Sequence, residues 1–191
     1  KVIAVRGNYQ GSEVSESGPA PPDPDLFLKA ASSVAGPADG IELRMPGRRV
    51  DHEVELVAVV GRPVACAADA ARPDVVAGYC IGIDVTMRGA EDRGLRKSLD
   101  GFTVLGPWLT TADEAAGVTD ASIELAVNGE LRQSGRTSQM TLGVGGIIAE
   151  ASRYFALEPG DVVMTGTPRG VGPLVAGDEV YCAIEGLGTM R

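Results

Sequence analysis

The segment His52-Glu53-Val54-Glu55-Leu56-Val57-Ala58-Val59-Val60 limits what this chain can fold into more than any other stretch. Its length and its Val-rich content read as a strand, so alternate side chains share a face. One face then carries Glu53, Glu55, Val57 and Val59, and the other carries His52, Val54, Leu56, Ala58 and Val60. Both faces are largely apolar, the pattern of a strand covered on both sides. Two carboxylates two residues apart therefore share a face that runs on into the core. Either they lie at the wet end of the strand and point to water, or a positive charge compensates them, because burying two ionised like charges is costly. A divalent cation compensates directly, since Mg²⁺ and Mn²⁺ favour carboxylate oxygens.

A second segment repeats the anomaly. Tyr79-Cys80-Ile81-Gly82-Ile83-Asp84-Val85 is an apolar strand with one carboxylate near its end. Asp84 has the parity to pair with Arg88, or it can join Glu53 and Glu55 as a third ligand, leaving octahedral positions for water and substrate. His52, the one histidine, alternates away from both glutamates and reads as a packed or surface side chain. Zinc chemistry and a Ser-His-Asp triad are thereby set aside. Residues 165–172, Thr-Gly-Thr-Pro-Arg-Gly-Val-Gly, lack the Gly-Lys-Ser/Thr ending of a phosphate loop. They form a turn between strands, or a loop whose amides and Thr167 hydroxyl hold a substrate carboxylate. Lys97 on its own reads as a solvated surface lysine.

The rest of the chain reads as strands between turn signals, at residues 2–5, 53–60, 79–86, 123–127, 161–165 and 179–184. Asn128-Gly129 is a strong hairpin signal, because both central positions of a type I′ turn need positive φ. A helix is expected over residues 140–156, although Gly143, Gly145 and Gly146 cost it roughly 1 kcal/mol each. A second, short helix is expected within residues 69–77, with Pro73 near its start. No strand–helix alternation suggests a doubly wound parallel sheet, so the fold class is a β-rich α+β domain. Residues 1–25 read as an N-terminal strand and a proline-rich, lid-like segment, and 26–191 as the main domain. With 44% hydrophobic residues among 191, a sizeable core is available. The net charge of −9 argues against a nucleic-acid partner. Cys66, Cys80 and Cys182, odd in number and outside any CxxC spacing, read as buried thiols of a reducing compartment. The apolar runs fall short of ~18 residues and no leader is visible, so the expectation is a cytoplasmic protein without a membrane partner.

The motifs occur in a telling order. Val50-Asp51-His52-Glu53-Val54-Glu55-Leu56, Ile83-Asp84, Lys97-Ser98-Leu99-Asp100-Gly101-Phe102, Leu105-Gly106-Pro107-Trp108, Asn128-Gly129-Glu130-Leu131-Arg132-Gln133, Leu157-Glu158-Pro159-Gly160-Asp161 and residues 165–172 together resemble the fumarylacetoacetate hydrolase family. The resemblance runs from Asn8-Tyr9 to the Gly188 end. It implies a mixed sheet rolled into an unusual barrel, with a few short helices, in a homodimer. It also implies a Mg²⁺- or Mn²⁺-dependent enzyme acting on a small 2-oxo or enol acid. Carried over, Glu53, Glu55 and Asp84 match the metal ligands and Lys97 the active-site lysine. Arg88, Thr167, Gly166 and Tyr9 match substrate contacts.

Two departures bear on the reaction. Where hydrolases of the family carry a His-x-x-Glu pair that activates water, this chain has Ser12 and Ser15, with Glu13 and Glu16 adjacent as substitute bases. The family's Arg-Asp-Leu-Gln is Arg88-Gly89-Ala90-Glu91, which puts Glu91 at a substrate-contacting position. Isomerisation and decarboxylation need only an enolate, whereas hydrolytic C–C cleavage also needs an activated water. The expectation is therefore an isomerase/decarboxylase of the hydroxyhepta-dienedioate type. An acylpyruvate-type hydrolase and a catalytically impaired binding homologue are the alternatives.

Overall fold

The structure, a computed structural model, describes residues 1–10 and 25–191. Glu13, Glu16, Ser12 and Ser15 lie outside the described residues.

Strands dominate, arranged in a curled, mixed half-barrel. The largest sheet has seven strands in the order Asp25–Lys29, Val2–Arg6, Val162–Met164, Val54–Val60, Val76–Asp84, Thr103–Thr111 and Val34–Ala35. Two of its pairings are parallel, Val2–Arg6 with Val162–Met164 and Val34–Ala35 with Thr103–Thr111; the others are antiparallel. A four-stranded sheet contains Glu130–Arg136, Ser122–Val127, Val180–Ile184 and Gly188–Met190. A three-stranded sheet contains Gly172–Leu174, Val50–His52 and Thr86–Met87. Asn128 and Gly129 take φ of 52° and 81° and close the hairpin between Ser122–Val127 and Glu130–Arg136, as the Asn-Gly signal requires.

The Val54–Val60 strand is covered on both sides. Ala58 and Val60 pack with Ile3, Val5 and Val163 under the helix Val144–Ala151, while Val57 packs with Val2, Ala4, Cys80 and Met164 on the opposite face. That helix carries Gly145 and Gly146, which together cost it about 2 kcal/mol of propensity. Ile147 and Ile148, both at 0% exposure, outweigh this at roughly 1.5–3 kcal/mol each.

The helix is shorter than the expected 140–156. Asn8 takes the amides that would have begun it: Thr141 N–H donates to the Asn8 carbonyl at 2.7 Å and Leu142 N–H to Asn8 Oδ1 at 2.8 Å. The helix expected within 69–77 is a single 3₁₀ turn, Asp69–Ala71. Arg72 follows in an extended conformation (ψ 136°), which the next residue, Pro73, enforces. Cys80 and Cys182 are buried free thiols as expected, whereas Cys66 is exposed, beside the Asp69 carboxylate at the start of that turn. Among the described residues no helix is long and apolar enough to cross a membrane.

Candidate metal centre

The run expected as one strand from residue 53 to 60 is broken at Glu53. Val50–His52 belongs to the three-stranded sheet and Val54–Val60 to the seven-stranded one. The neighbouring chain breaks at the same level, since Val76–Asp84 ends in the large sheet and Thr86–Met87 resumes in the small one. Asp84 N–H donates to the Glu53 carbonyl at 2.8 Å and ties the two breaks together. Carboxylate oxygens of Glu53, Glu55 and Asp84 converge there, all within 4.8 Å of one another. Glu55 and Asp84 are each 1% exposed. At this separation two ionised carboxylates repel by roughly 3 kcal/mol or more at an effective dielectric near 20, so the cluster demands positive charge.

The protein supplies part of it. Lys97 follows the one-turn helix Arg93–Arg96, which the Asp92 side chain caps by accepting from Gly94 N–H at 2.8 Å. Its Nζ donates to Glu53 Oε2 at 2.9 Å, Asp84 Oδ2 at 2.5 Å and Thr86 Oγ1 at 2.6 Å. Lys29, at the end of Asp25–Lys29, reaches the other oxygen of Asp84 and donates to the Phe102 carbonyl at 2.7 Å. Arg88 Nη2 lies 3.2 Å from Glu53 Oε1, while its Nε holds Asp51 Oδ2 at 2.7 Å. The Asp84–Arg88 pair that parity allowed is not formed; Arg88 takes Asp51 and Glu53, and Asp84 takes two lysines.

These placements divide the pKa values. Burial alone would raise Asp84, but the ammonium groups of Lys29 and Lys97 outweigh it and hold the carboxyl below its usual range. Burial likewise opposes the charge on Lys97, and Asp84 and Glu53 overcome it, leaving Lys97 raised. Lys29 is lowered, first by burial, and the charge of Lys97 adds to this because two ammonium groups share one carboxylate. Glu55 is pushed well above the carboxylate range by burial and by the charge of Asp84. Its hydrogen bond is the Gly166 amide at 2.8 Å. His52 is buried with Nδ1 2.9 Å from Gln133 Oε1, and burial lowers its pKa, so of the two expected placements, packed or surface, it takes the packed one.

The 165–172 loop is held from below. The Thr165 and Thr167 hydroxyls donate to the Leu56 and Val54 carbonyls at 2.8 and 2.7 Å, and Gln133 Nε2 donates to Thr167 Oγ1 at 2.8 Å. The Gly166 amide and the Thr167 hydroxyl are thus both spent inside the protein, and a substrate carboxylate would need them to exchange partners. Gly170, with φ of +100°, lies where a Cβ would come within 2.0 Å of the Arg132 carbonyl oxygen. Gly170→Ala is therefore expected to destabilise the fold by about 3 kcal/mol or more, read as a lowered denaturant midpoint, because strain and a backbone clash add.

Tyr9 is buried near Glu55, and burial together with the charge of Glu55 raises its phenol. Glu91 stands outside the group of three acids. It forms a forked pair with Arg48 at 2.9 and 2.8 Å, which draws its pKa down to about 2. Arg48 also packs over Gly89, where a Cβ would lie 2.0 Å from its Nη2, so the Gly in Arg88-Gly89-Ala90-Glu91 makes room for that pair.

Three site residues escaped the sequence. Asp51, fully buried between Arg88 and Arg49, shares the parity of Glu53 and Glu55, the one signal that could have found it. Lys29 ends an ordinary amphipathic run, and Gln133 follows a register shift between Leu131 and Gln133; neither carries a local signal.

A carboxylate-only donor set, buried at a break between sheets, suits a hard divalent cation such as Mg²⁺ or Mn²⁺ rather than zinc or copper. Glu55 supports the fit, since among the described residues its carboxyl accepts one hydrogen bond, from the Gly166 amide at 2.8 Å, and has further lone pairs to give. Fold and site together define a β-rich protein in which three carboxylates are grouped so that they could hold a metal ion. The chain belongs to the fumarylacetoacetate hydrolase family: the family's "Fumarylacetoacetate (FAA) hydrolase C-terminal" profile matches residues 1–191. A maleylpyruvate hydrolase of Aquipseudomonas alcaligenes is 49% identical over 165 residues, which is 86% of this chain and 58% of that protein. The chain thus spans little more than half the length of that relative. A 5-carboxymethyl-2-hydroxymuconate delta-isomerase from Mycobacterium smegmatis superposes with a TM-score of 0.87 at 40% identity, covering 100% of this chain and 76% of that one. A maleylpyruvate hydrolase from Sphingobium sp. SYK-6, in complex with manganese(II) and pyruvate, gives 0.84 at 39%, covering 100% and 68%.

Proposed function

We propose that this chain is a Mg²⁺- or Mn²⁺-dependent enzyme that forms the enolate of a small 2-oxo or 2-hydroxy-dienoic acid. The observation that carries the reading is the set of three carboxylate oxygens within 4.8 Å, with the Lys97 ammonium at its edge. Glu53, Glu55 and Asp84 would hold the cation, which when bound supplies Lewis-acid polarisation of the substrate's carboxylate and 2-oxo oxygens. Lys97 brings a fixed positive charge to the place where negative charge develops, and in a water-poor site such a charge is worth more than in solvent. Arg88, held by Asp51, adds a second. Asp84, clamped by Lys29 and Lys97 together, stays ionised and keeps its direction.

Isomerisation or decarboxylation is the first reading of the enolate's fate. Ser12 and Ser15 supply no base for activating water, and neither reaction needs one. Hydrolytic C–C cleavage is the second. It is favoured by the 49% identity to a maleylpyruvate hydrolase and by the pyruvate bound in the Sphingobium relative, and would use Glu13 or Glu16 as base. A panel of oxaloacetate, an acylpyruvate, fumarylpyruvate and a 2-hydroxy-dienedioate, run with Mn²⁺ and with chelator, separates them. Turnover that needs metal and leaves the carbon skeleton intact, or loses only CO₂, supports the first; release of pyruvate together with a second carboxylic acid from the acylpyruvate or fumarylpyruvate supports the second. No Mn²⁺ affinity at all would sink both.

A further inference from the structure

The Asp25–Lys29 strand joins the metal centre to a second, cationic region. Asp25, Phe27 and Lys29 alternate onto one face. Lys29 reaches Asp84, Phe27 lies beneath the Lys97 ammonium at 5.5 Å, and Asp25 pairs with Arg93. The Arg93 guanidinium lies 5.6 Å from the same Phe27 ring, so it stands no farther from the Lys97 ammonium than about twice that distance. Arg6 sits opposite Asp25 in the strand register, and after burial the charge of Arg93 is what most lowers its pKa, with Arg96 adding to the effect. Arg96 is only 9% exposed, and among the described residues its hydrogen bonds go to two main-chain carbonyls, Glu91 and Met87. A cavity of about 760 Å³ opens here, lined by Asp25, Phe27, Arg93, Arg96, Tyr154 and Phe155.

The acids at this cavity are largely engaged. Asp92 caps its helix, Glu150 pairs with Arg153 at 3.0 Å, and Asp25 takes one Arg93 nitrogen. The guanidinium has further donors, so Arg93 retains the capacity to hold a second carboxylate. A single aromatic ring that carries the Lys97 ammonium at 5.5 Å and the Arg93 guanidinium at 5.6 Å suits a flat, unsaturated chain with a carboxylate at each end.

Resting on the function proposed above, we infer that Arg93 and Arg96 form a subsite for the distal carboxylate of a diacid substrate, with Phe27 under its connecting chain. The test uses the Mn²⁺-loaded protein and two acylpyruvates, fumarylpyruvate and acetylpyruvate, which lacks the second carboxylate. Binding is measured by calorimetry and turnover by loss of absorbance. Wild type should prefer fumarylpyruvate, and Arg93→Gln and Arg96→Gln should each cut that preference roughly tenfold to a hundredfold, the worth of a charge-assisted hydrogen bond. Asp25→Asn, which frees Arg93, should raise it. Equal affinity of wild type for the two compounds, or an unchanged preference in both arginine variants, would overturn the subsite while leaving the metal-dependent reading intact. Binding of Mn²⁺ with no binding of either compound would overturn both.

Discussion

Glu55→Gln is expected to weaken Mn²⁺ binding at least a hundredfold, about 3 kcal/mol or more, without destabilising the metal-free protein. The two halves of this result have separate causes. Glutamine keeps the shape of the side chain, and its carbonyl can still accept the Gly166 amide that Glu55 accepts at 2.8 Å. It removes a carboxyl that burial and the charge of Asp84 hold well above its normal pKa, a group whose ionised form the fold disfavours. A metal-free melting temperature equal to or above that of wild type should therefore accompany a lost response to Mn²⁺. The same shift sets a pH dependence. Because the folded-state pKa of Glu55 lies above its unfolded value, its contribution to stability is present at low pH and is lost as pH climbs through the raised value. A cation binds the ionised form and must expel the proton, so Mn²⁺ affinity should rise with pH across that range. Calorimetric titration at several pH values tests both points. Affinity in the variant within tenfold of wild type would show that Glu55 is not a ligand.

Lys97→Met should give the complementary pattern, with turnover lowered roughly a hundredfold to a thousandfold and the metal still bound. The loss is the usual size when one preorganised positive donor is removed from a developing negative charge, about 3–4 kcal/mol. Metal binding should persist or tighten, because Glu53 and Asp84 lose the ammonium that contacts them at 2.9 and 2.5 Å and meet the cation unneutralised. Methionine fills the buried space alongside Phe27. Loss of metal affinity together with loss of turnover would instead make Lys97 a structural counter-charge for the carboxylates.

The features legible in the sequence and those hidden from it divide along physical lines. Val54–Val60 was legible because a strand covered on both faces leaves an unbroken apolar run, and Asn128-Gly129 because few dipeptides accept two positive φ angles. Glu55 and Asp84 stood out as charges in apolar surroundings, and both are 1% exposed. The chain break at Glu53 was not legible, since it depends on which distant strands pair on either side and not on any local residue. The start of the Val144–Ala151 helix was hidden for a similar reason, as it is set by Asn8, more than a hundred residues away. Lys29 was the most concealed. A lysine closing an amphipathic strand normally reaches water, and only the return of Asp84 beneath it turns it inward.

The coincident breaks at Glu53 and Asp84 carry a mechanical consequence. Two adjacent strands hand over from one sheet to another at the same height, and the side chains that face each other across that seam are the charged ones. Whatever fastens these carboxylates together also rivets the sheets, so the proposed metal site doubles as a joint of the scaffold. Selectivity can then drift at the cavity rim, around Arg93 and Phe27, without loosening the joint on which reactivity depends.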